Sequence, residues 1–534
     1  MAKASVLARP AQKVSNLTSI PAPTGGLNAR DSLMAMSPDQ AVTLKNIFPQ
    51  RYGAQLRLGW ARHAVLAAPA AIETLMNYAD HLGTEKLFAI AGGTIWDVTT
   101  QAAAPVATGV TGLSNSRWQY TQLTNVQGSF LVAVNGVDPP IIYNGTTWSN
   151  LALVLPASPP AGTTINKMIH VHLVHRRLWF TEINSTRAWY LPVDQVAGTL
   201  AMFDAGELFS RGGFLQCVKS WTVDAAAGSD DHVVLISSKG DIAVYTGFDP
   251  TVATDFTLDG VYRIGSTLGR RCATKFGSDL LIFCEDGVLP LTSILAQSKI
   301  LNPTPLTDLI QLKLSEDVGT FSTLYGWEPV VSNRANQLYL NIPTSVAAGV
   351  MVYRQYVMNT VTGAWCEFEN YNGVSWAVHK NELFFGTPNG IVGHAWFGTL
   401  DNYDFALDTG GAIPAQALCA FAYLGRGAQQ KHITMARATM QAPIEPQFRL
   451  TVNVDFKIED DSPPIPPANA STIAAKWDQA IWDQDVWGAA STIFKRWVGV
   501  GEIGFCAATF LKTSTSFGYI WVSTDLLVEE GAVL

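Results

Sequence analysis

Short apolar runs, each broken by a Gly or Asn turn and followed by a second run carrying an aromatic, recur through the middle of the chain. They read KLFAIAGGTIWDV (Lys86 to Val98), FLVAVNGVDPPIIYNGTTW (Phe130 to Trp148), HVVLISSKGDIAVYTG (His232 to Gly247), LLIFCEDGVLPL (Leu280 to Leu291) and ELFFGTPNGIVGHAW (Glu382 to Trp396). Further members are His172 to Pro192, Asn336 to Thr344 and Gly349 to Asn370, the last with Asn359, Thr360 and Gly363 at a hairpin turn. A strand pair of this kind cannot bury its own apolar face. Repetition lets each unit cover the next, which predicts a propeller or another closed or stacked all-β body. The units number about six or seven, within the usual propeller range of about 4 to 8 blades.

The pattern changes at both ends. Residues 1–70 lack sustained periodicity. Ser37 and Pro38 read there as the start of a short helix running to about Asn46, with Met36, Val42 and Leu44 for packing. Pro49, Gly53 and Gly59 then turn the chain, so the segment is expected to drape as an N-terminal arm over later residues. Residues 71–410 form the propeller-like body. After the break at Leu407 to Gln416, Leu450, Val452, Val454 and Phe456 alternate onto one face. Residues 411–534 are therefore expected to be a β-sandwich-like domain, and the class is mainly β.

Charged residues make up only 15% of the 534 positions and hydrophobic ones 48%, with a formal net charge of -8. Ordinary globular domains carry about 25% charge. A charge-poor exterior suits burial against partner subunits, and the absence of a basic stripe argues against a DNA-gripping protein. A mildly acidic wall suits a conduit that DNA passes without sticking. No apolar stretch reaches membrane-spanning length, so integral membrane contact is not expected. The first residues lack the apolar core of a secretory signal. Six scattered cysteines form neither a CxxC nor a close His cluster and read as buried free thiols.

No GxSxG, HExxH, P-loop or dinucleotide fingerprint occurs. His170 and His172 share one face of an extended strand, with His175 beyond, but no acidic or Cys ligand stands near them in sequence. Ordinary strand histidines are the preferred reading. Asp230, Asp231, Asp249 and Asp401 are the candidates for an acidic channel lining; as solvated turns they need no function. Trp477, Trp482, Trp487 and Trp497 cluster in the C-terminal region and read as core or interface, with a sugar or base platform as the alternative. No cofactor, metal site or catalytic residue is assigned.

The leader GGLN (Gly25 to Asn28) with SPDQAVTLKNIFPQRYGAQLRLGW (Ser37 to Trp60), and the C-terminal DxxxW run ending in Arg496 and Trp497, resemble short-tailed phage tail proteins of the nozzle and DNA-stabilisation type. The resemblance spans the chain in order. The central repeats carry no strict blade signature, and EEGAVL lacks a double Gly. It implies Asn46, Pro49, Tyr52, Arg57 and Gly59 as structural signature positions, with Pro49 and Gly59 setting turns and Arg57 clamping a carboxylate or backbone carbonyl, or else standing as a salt-bridge or surface arginine. It implies a non-enzymatic virion tail ring of six copies, assembled in the host cytoplasm. The ring would meet portal-adaptor or other connector proteins and tail fibres, and would continue or close the channel through which double-stranded DNA leaves. The alternatives are a tail-associated glycan-degrading enzyme and a non-enzymatic receptor-binding module.

Overall fold

The computed structural model describes residues 15–530, apart from 68, 102–103, 226–227, 297–303, 348–349, 426 and 461–491; for 223–225, 228–230 and 345–347 it describes the backbone alone. The chain is mainly β and divides into two compact units. One comprises Leu58–Gly363 and Glu367–Gly411; the other joins the described parts of Met1–Arg57, Ala364–Cys366 and Ala412–Leu534.

The larger unit is a succession of antiparallel sheets in which strands follow one another in sequence order. The first holds Thr74–Ala79, Glu85–Ala91, Thr94–Asp97 and Val106–Ala107, and the second Gln119–Asn125, Gly128–Val134, Ile141–Tyr143 and Trp148–Asn150. The third begins at Met168–Val174 and the fourth at Leu215–Ala225, each with four strands. The fifth has three, Ala273–Phe276, Asp279–Cys284 and Gly287–Pro290. The sixth is built on Glu328–Ser332, Gln337–Ala347 and Val350–Asn359. The seventh runs Ser375–His379, Glu382–Gly386 and Ile391–Ala395, and takes its next strand from far back in the chain, where Trp60–Val65 pairs antiparallel with Ile391–Ala395.

The repeats noted in the sequence fall on these strands, except that the second half of Gly349 to Asn370 forms the further strand Trp365–Phe368. Neighbouring sheets pack through their first strands, and Ser375–His379 of the seventh lies against Thr74–Ala79 of the first. The core accordingly sits between sheets: Val171, Leu178 and Trp189 of the third bury with Val132 and Val134 of the second. Val218 and Leu235 of the fourth bury with Trp179 of the third. Two helices, Leu291–Ala296 and Gln311–Phe321, follow the fifth sheet. The strand-and-turn expectation did not include them. The longer one buries Leu314 and Val318 but has only one further apolar position on that stripe, too few for a clear helical period.

The second unit contains two sheets. In one, Gln40–Lys45, Ile413–Cys419, Ala507–Thr515 and Phe448–Val454 lie in that order. In the other, Ile47–Gln50, Gly53–Leu56, Ile520–Glu530, Lys431–Ala442 and Thr492–Gly504 do, with Ser15–Pro21 also paired to Ile520–Glu530. The expected helix at 37–46 is absent: Gln40–Lys45 is a strand, and Ser37 opens a turn in which its carbonyl accepts from the Gln40 N–H. Ala41 and Leu44 gain full burial by pairing with Ile413–Cys419, and that tertiary gain exceeds a cap on a short, Val- and Thr-containing helix. The arm is thus strand-paired with residues 412–530 rather than standing as a separate region.

One side chain ties four stretches of the larger unit together. Arg271, just before the fifth sheet, contacts Glu328 Oε2 at 3.2 Å and donates to Thr74 Oγ1 and to the Glu73 and Trp118 carbonyls, each at 3.1 Å. Burial opposes its charge, but Tyr325 and Glu328 hold it protonated. Burial also raises the Glu328 carboxyl above the usual carboxylate range. Arg271→Met is expected to cost about 3–5 kcal/mol, because Glu328 would stay buried without its cation. Adding Glu328→Gln should recover part of that loss in denaturant melts of the double variant.

Candidate functional site

The signature positions form a joint in the sequence between the units. Asn46 adopts φ 56, a left-handed conformation that asparagine tolerates, immediately after Gln40–Lys45. Its amide nitrogen donates to the Pro414 carbonyl at 2.8 Å, and its side-chain oxygen accepts from Arg57 Nε at 2.8 Å. The backbones pair as well, Arg57 N–H to Asn46 C=O at 3.0 Å. Arg57 is therefore a buried side chain at 1% exposure, and the Asn46 amide oxygen is one of its partners. Between them Ile47–Gln50 and Gly53–Leu56 make a hairpin, with Pro49 opposite Ala54 and Tyr52 exposed at the turn.

Gly59 belongs to the other unit. Its N–H donates to Gly398 C=O and its carbonyl accepts from Phe397 N–H and the Tyr371 hydroxyl. A Cβ there would stand 1.8 Å from the Leu400 carbonyl oxygen, so the position admits only glycine.

His170 and His172 share a face of the third sheet's first strand, as their spacing requires, with ring centroids 6.3 Å apart. His170 is buried and its Nδ1 has no hydrogen-bond partner in the protein, while His172 Nε2 reaches Ser220 Oγ at 3.4 Å. Burial, reinforced by Lys219, holds both rings far below the ordinary imidazole range and therefore neutral. His175 turns away at φ 49 and meets the Asp231 carbonyl at 2.8 Å. Among the described residues no three His, Cys, Asp or Glu side chains converge as a metal site. Cys217 and Cys272 approach to 3.8 Å between sulfurs, and all six thiols are free and buried.

The four aspartates do not share one sheet: Asp230 and Asp231 lie on the fourth, Asp401 on a strand beside Trp60–Val65. Asp230 lies on the second strand of the fourth sheet, its side chain outside the description, and Asp231 beside it accepts from the Thr222 hydroxyl. Asp249 caps a turn through Thr251 and pairs with Arg177 at 3.3 Å; Asp401 is buried beside the Trp60–Val65 strand. Trp477, Trp482 and Trp487 lie outside the described residues. Trp497 is described: the Arg437 guanidinium sits 4.6 Å from its ring centre.

Sequence reasoning missed a cleft on the first two sheets. It encloses about 650 Å³ and is lined by Phe88, Tyr143, Trp148, Lys86, Asp97 and several threonines. Trp148 meets Phe88 edge-on at 5.2 Å and Tyr143 tilted at 5.2 Å. The residues come from two repeats about 50 positions apart, and only the WD and TTW ends of those repeats hinted at it.

No family model and no curated protein matches the chain. Solved structures to which it is similar include BBS1N in complex with ARL6DN, at 10% identity and a TM-score of 0.38, covering 64% of this chain and 97% of that one. YCF48 bound to D1 peptide follows at 11% and 0.34, covering 66% and 98%. An exo-beta-1,3-galactanase from Phanerochaete chrysosporium with galactose stands at 9% and 0.24, covering 76% and 95%. Likeness this slight assigns neither a fold nor an activity.

Arg57→Met is expected to lower the stability of its unit by about 2–4 kcal/mol in denaturant melts, since the buried Asn46 Oδ1 loses a charged donor. A pH dependence also follows from the neutral histidines. Burial holds His379 down at about 4, so between pH 6.5 and 4 the unfolded chain binds a proton that the folded one does not. Stability should fall as pH drops through that window, and His379→Gln should flatten part of the slope in melting curves taken from pH 7.5 to 4.5.

Proposed function

We propose that this chain is a non-enzymatic subunit of a short-tailed phage tail, a nozzle or hub ring that continues or closes the DNA exit channel. The larger unit is read as a seven-bladed β-propeller. Support comes from the sequential sheets, from Trp60–Val65 completing the last of them, and from the packing of the seventh sheet on the first. The other unit is read as a β-sandwich, supported by Phe448–Val454 lying against Lys431–Ala442 and Thr492–Gly504 of the second sheet.

The observation that carries the assembly reading is the edge strand Thr492–Gly504. It spans 13 residues and, among the described residues, stands at the end of its sheet, with Ile493 and Ile503 62% and 54% exposed beside half-buried Phe494, Trp497, Val498 and Val500. A long apolar edge is a template for another chain, and soluble monomers normally blunt it. A contact between this edge and a different surface of the next copy is heterologous, the kind that closes rings. The resemblance of Gly25 to Asn28 and Ser37 to Trp60 to tail proteins supplies the ring's setting, with connector proteins and fibres as neighbours and double-stranded DNA in passage. Glycan cleavage is less well supported, because the one aromatic cleft described above has a single carboxylate, Asp97, among its lining residues.

Electron microscopy of the purified chain, alone and with its connector protein, should show rings of six with a bore that admits duplex DNA. Ile493→Lys with Ile503→Lys should reduce the particle to monomers in light scattering while leaving the melting temperature within a few degrees. A chain that stays monomeric under both conditions, or that labels the periphery of the virion, would refute the ring.

A further inference from the structure

We propose that the cleft on the first two sheets is a carbohydrate-binding site. Its volume of about 650 Å³ falls within the range of about 300–1,000 Å³ typical of small-ligand sites. Its walls combine two chemistries. Phe88 and Tyr143 are buried and hold Trp148 in a fixed, half-buried pose, and the Trp148 indole N–H has no acceptor in the protein. Beside this aromatic group stand charged and hydroxyl groups, with Lys86 Nζ 5.8 Å from the Tyr143 ring centre. Asp97 Oδ1 accepts from the Thr99 N–H at 3.0 Å and its hydroxyl at 2.6 Å, leaving Oδ2 to Lys86 at 3.4 Å. Thr147 adds a further hydroxyl on the second sheet's side.

A pyranose presents the same two chemistries. Its C–H face stacks on an aromatic ring, and its hydroxyls donate to a carboxylate and accept from an ammonium or a hydroxyl. A wholly apolar ligand would desolvate the Lys86–Asp97 ion pair and offer it no hydrogen bonds in place of water. A nucleotide would bring phosphates to a cleft whose one cation is already paired with Asp97. With one carboxylate, the site binds a glycan without cleaving it. All lining residues come from the first two sheets of one chain, so the inference is independent of the ring.

A printed array of bacterial and mammalian glycans, probed with the intact chain, tests it. A defined subset of glycans should bind, and Trp148→Ala and Asp97→Asn should each weaken binding to that subset about tenfold or more. Hydrogen exchange on the unmodified chain supplies a readout that does not depend on the variants folding. The strongest array ligand should slow amides in 97–100 and 143–148 and leave the fifth and sixth sheets unchanged. An array with no bound glycan overturns the proposal, as does binding that both folded variants retain or that protects amides elsewhere.

Discussion

Arg271 places a full positive charge where water is scarce, and the larger unit is arranged around satisfying it. A guanidinium has five N–H donors in a rigid plane, and burial without partners costs several kcal/mol. Here the partners come from three different sheets: a carboxylate on the sixth, a hydroxyl and a carbonyl at the first, and a carbonyl beside the second. None of these stretches is near Arg271 in sequence, so the ion can be satisfied only when the first and sixth sheets have already come together. Apolar packing between sheets supplies most of the favourable energy but is tolerant of small slips. The directional contacts of one arginine are not, and they select a single arrangement of the first strands.

The smaller unit uses the same device with an amide in place of the carboxylate. Asn46 and Arg57 link the two ends of a hairpin, while the Asn46 amide holds the Pro414 carbonyl. Both charge-bearing centres are therefore spent on holding distant segments of chain together. Glu182, Asp317, Glu328 and Glu367 are likewise paired, with Arg187, Arg354, Arg271 and Lys313.

Much of the fold was legible because the period-two signal is local. Hairpins such as Lys86 to Val98 or Leu280 to Leu291 carry their apolar faces, turn residues and lengths within a dozen positions. What could not be read was set by distant partners. Gln40–Lys45 looks helical next to Ser37 and Pro38, and only the strand at Ile413–Cys419 makes it extended. The burial of Arg57 was invisible for the same reason, as was the meeting of Asp97 with Trp148, which share one wall only after two sheets pack. His170 and His172 show the opposite case: the strand spacing put them on one face correctly, but the metal-free reading depended on the absence of a third ligand, which sequence distance alone could suggest.

The pairing of Trp60–Val65 with Ile391–Ala395 sets an order of events during synthesis. The early strand leaves the ribosome more than 300 residues before its partner exists, at rates of about 5–20 residues per second. For that interval its ladder groups and the apolar face around Trp60 have no native cover. Ser15–Pro21 waits longer still, for Ile520–Glu530. Intermediate sheets can form as they emerge, but the larger unit cannot be sealed until Ile391–Ala395 has been made, nor the smaller until Ile520–Glu530 has. Nascent chains halted between these points are thus the species most exposed to aggregation, and the ones for which a holding chaperone would matter most.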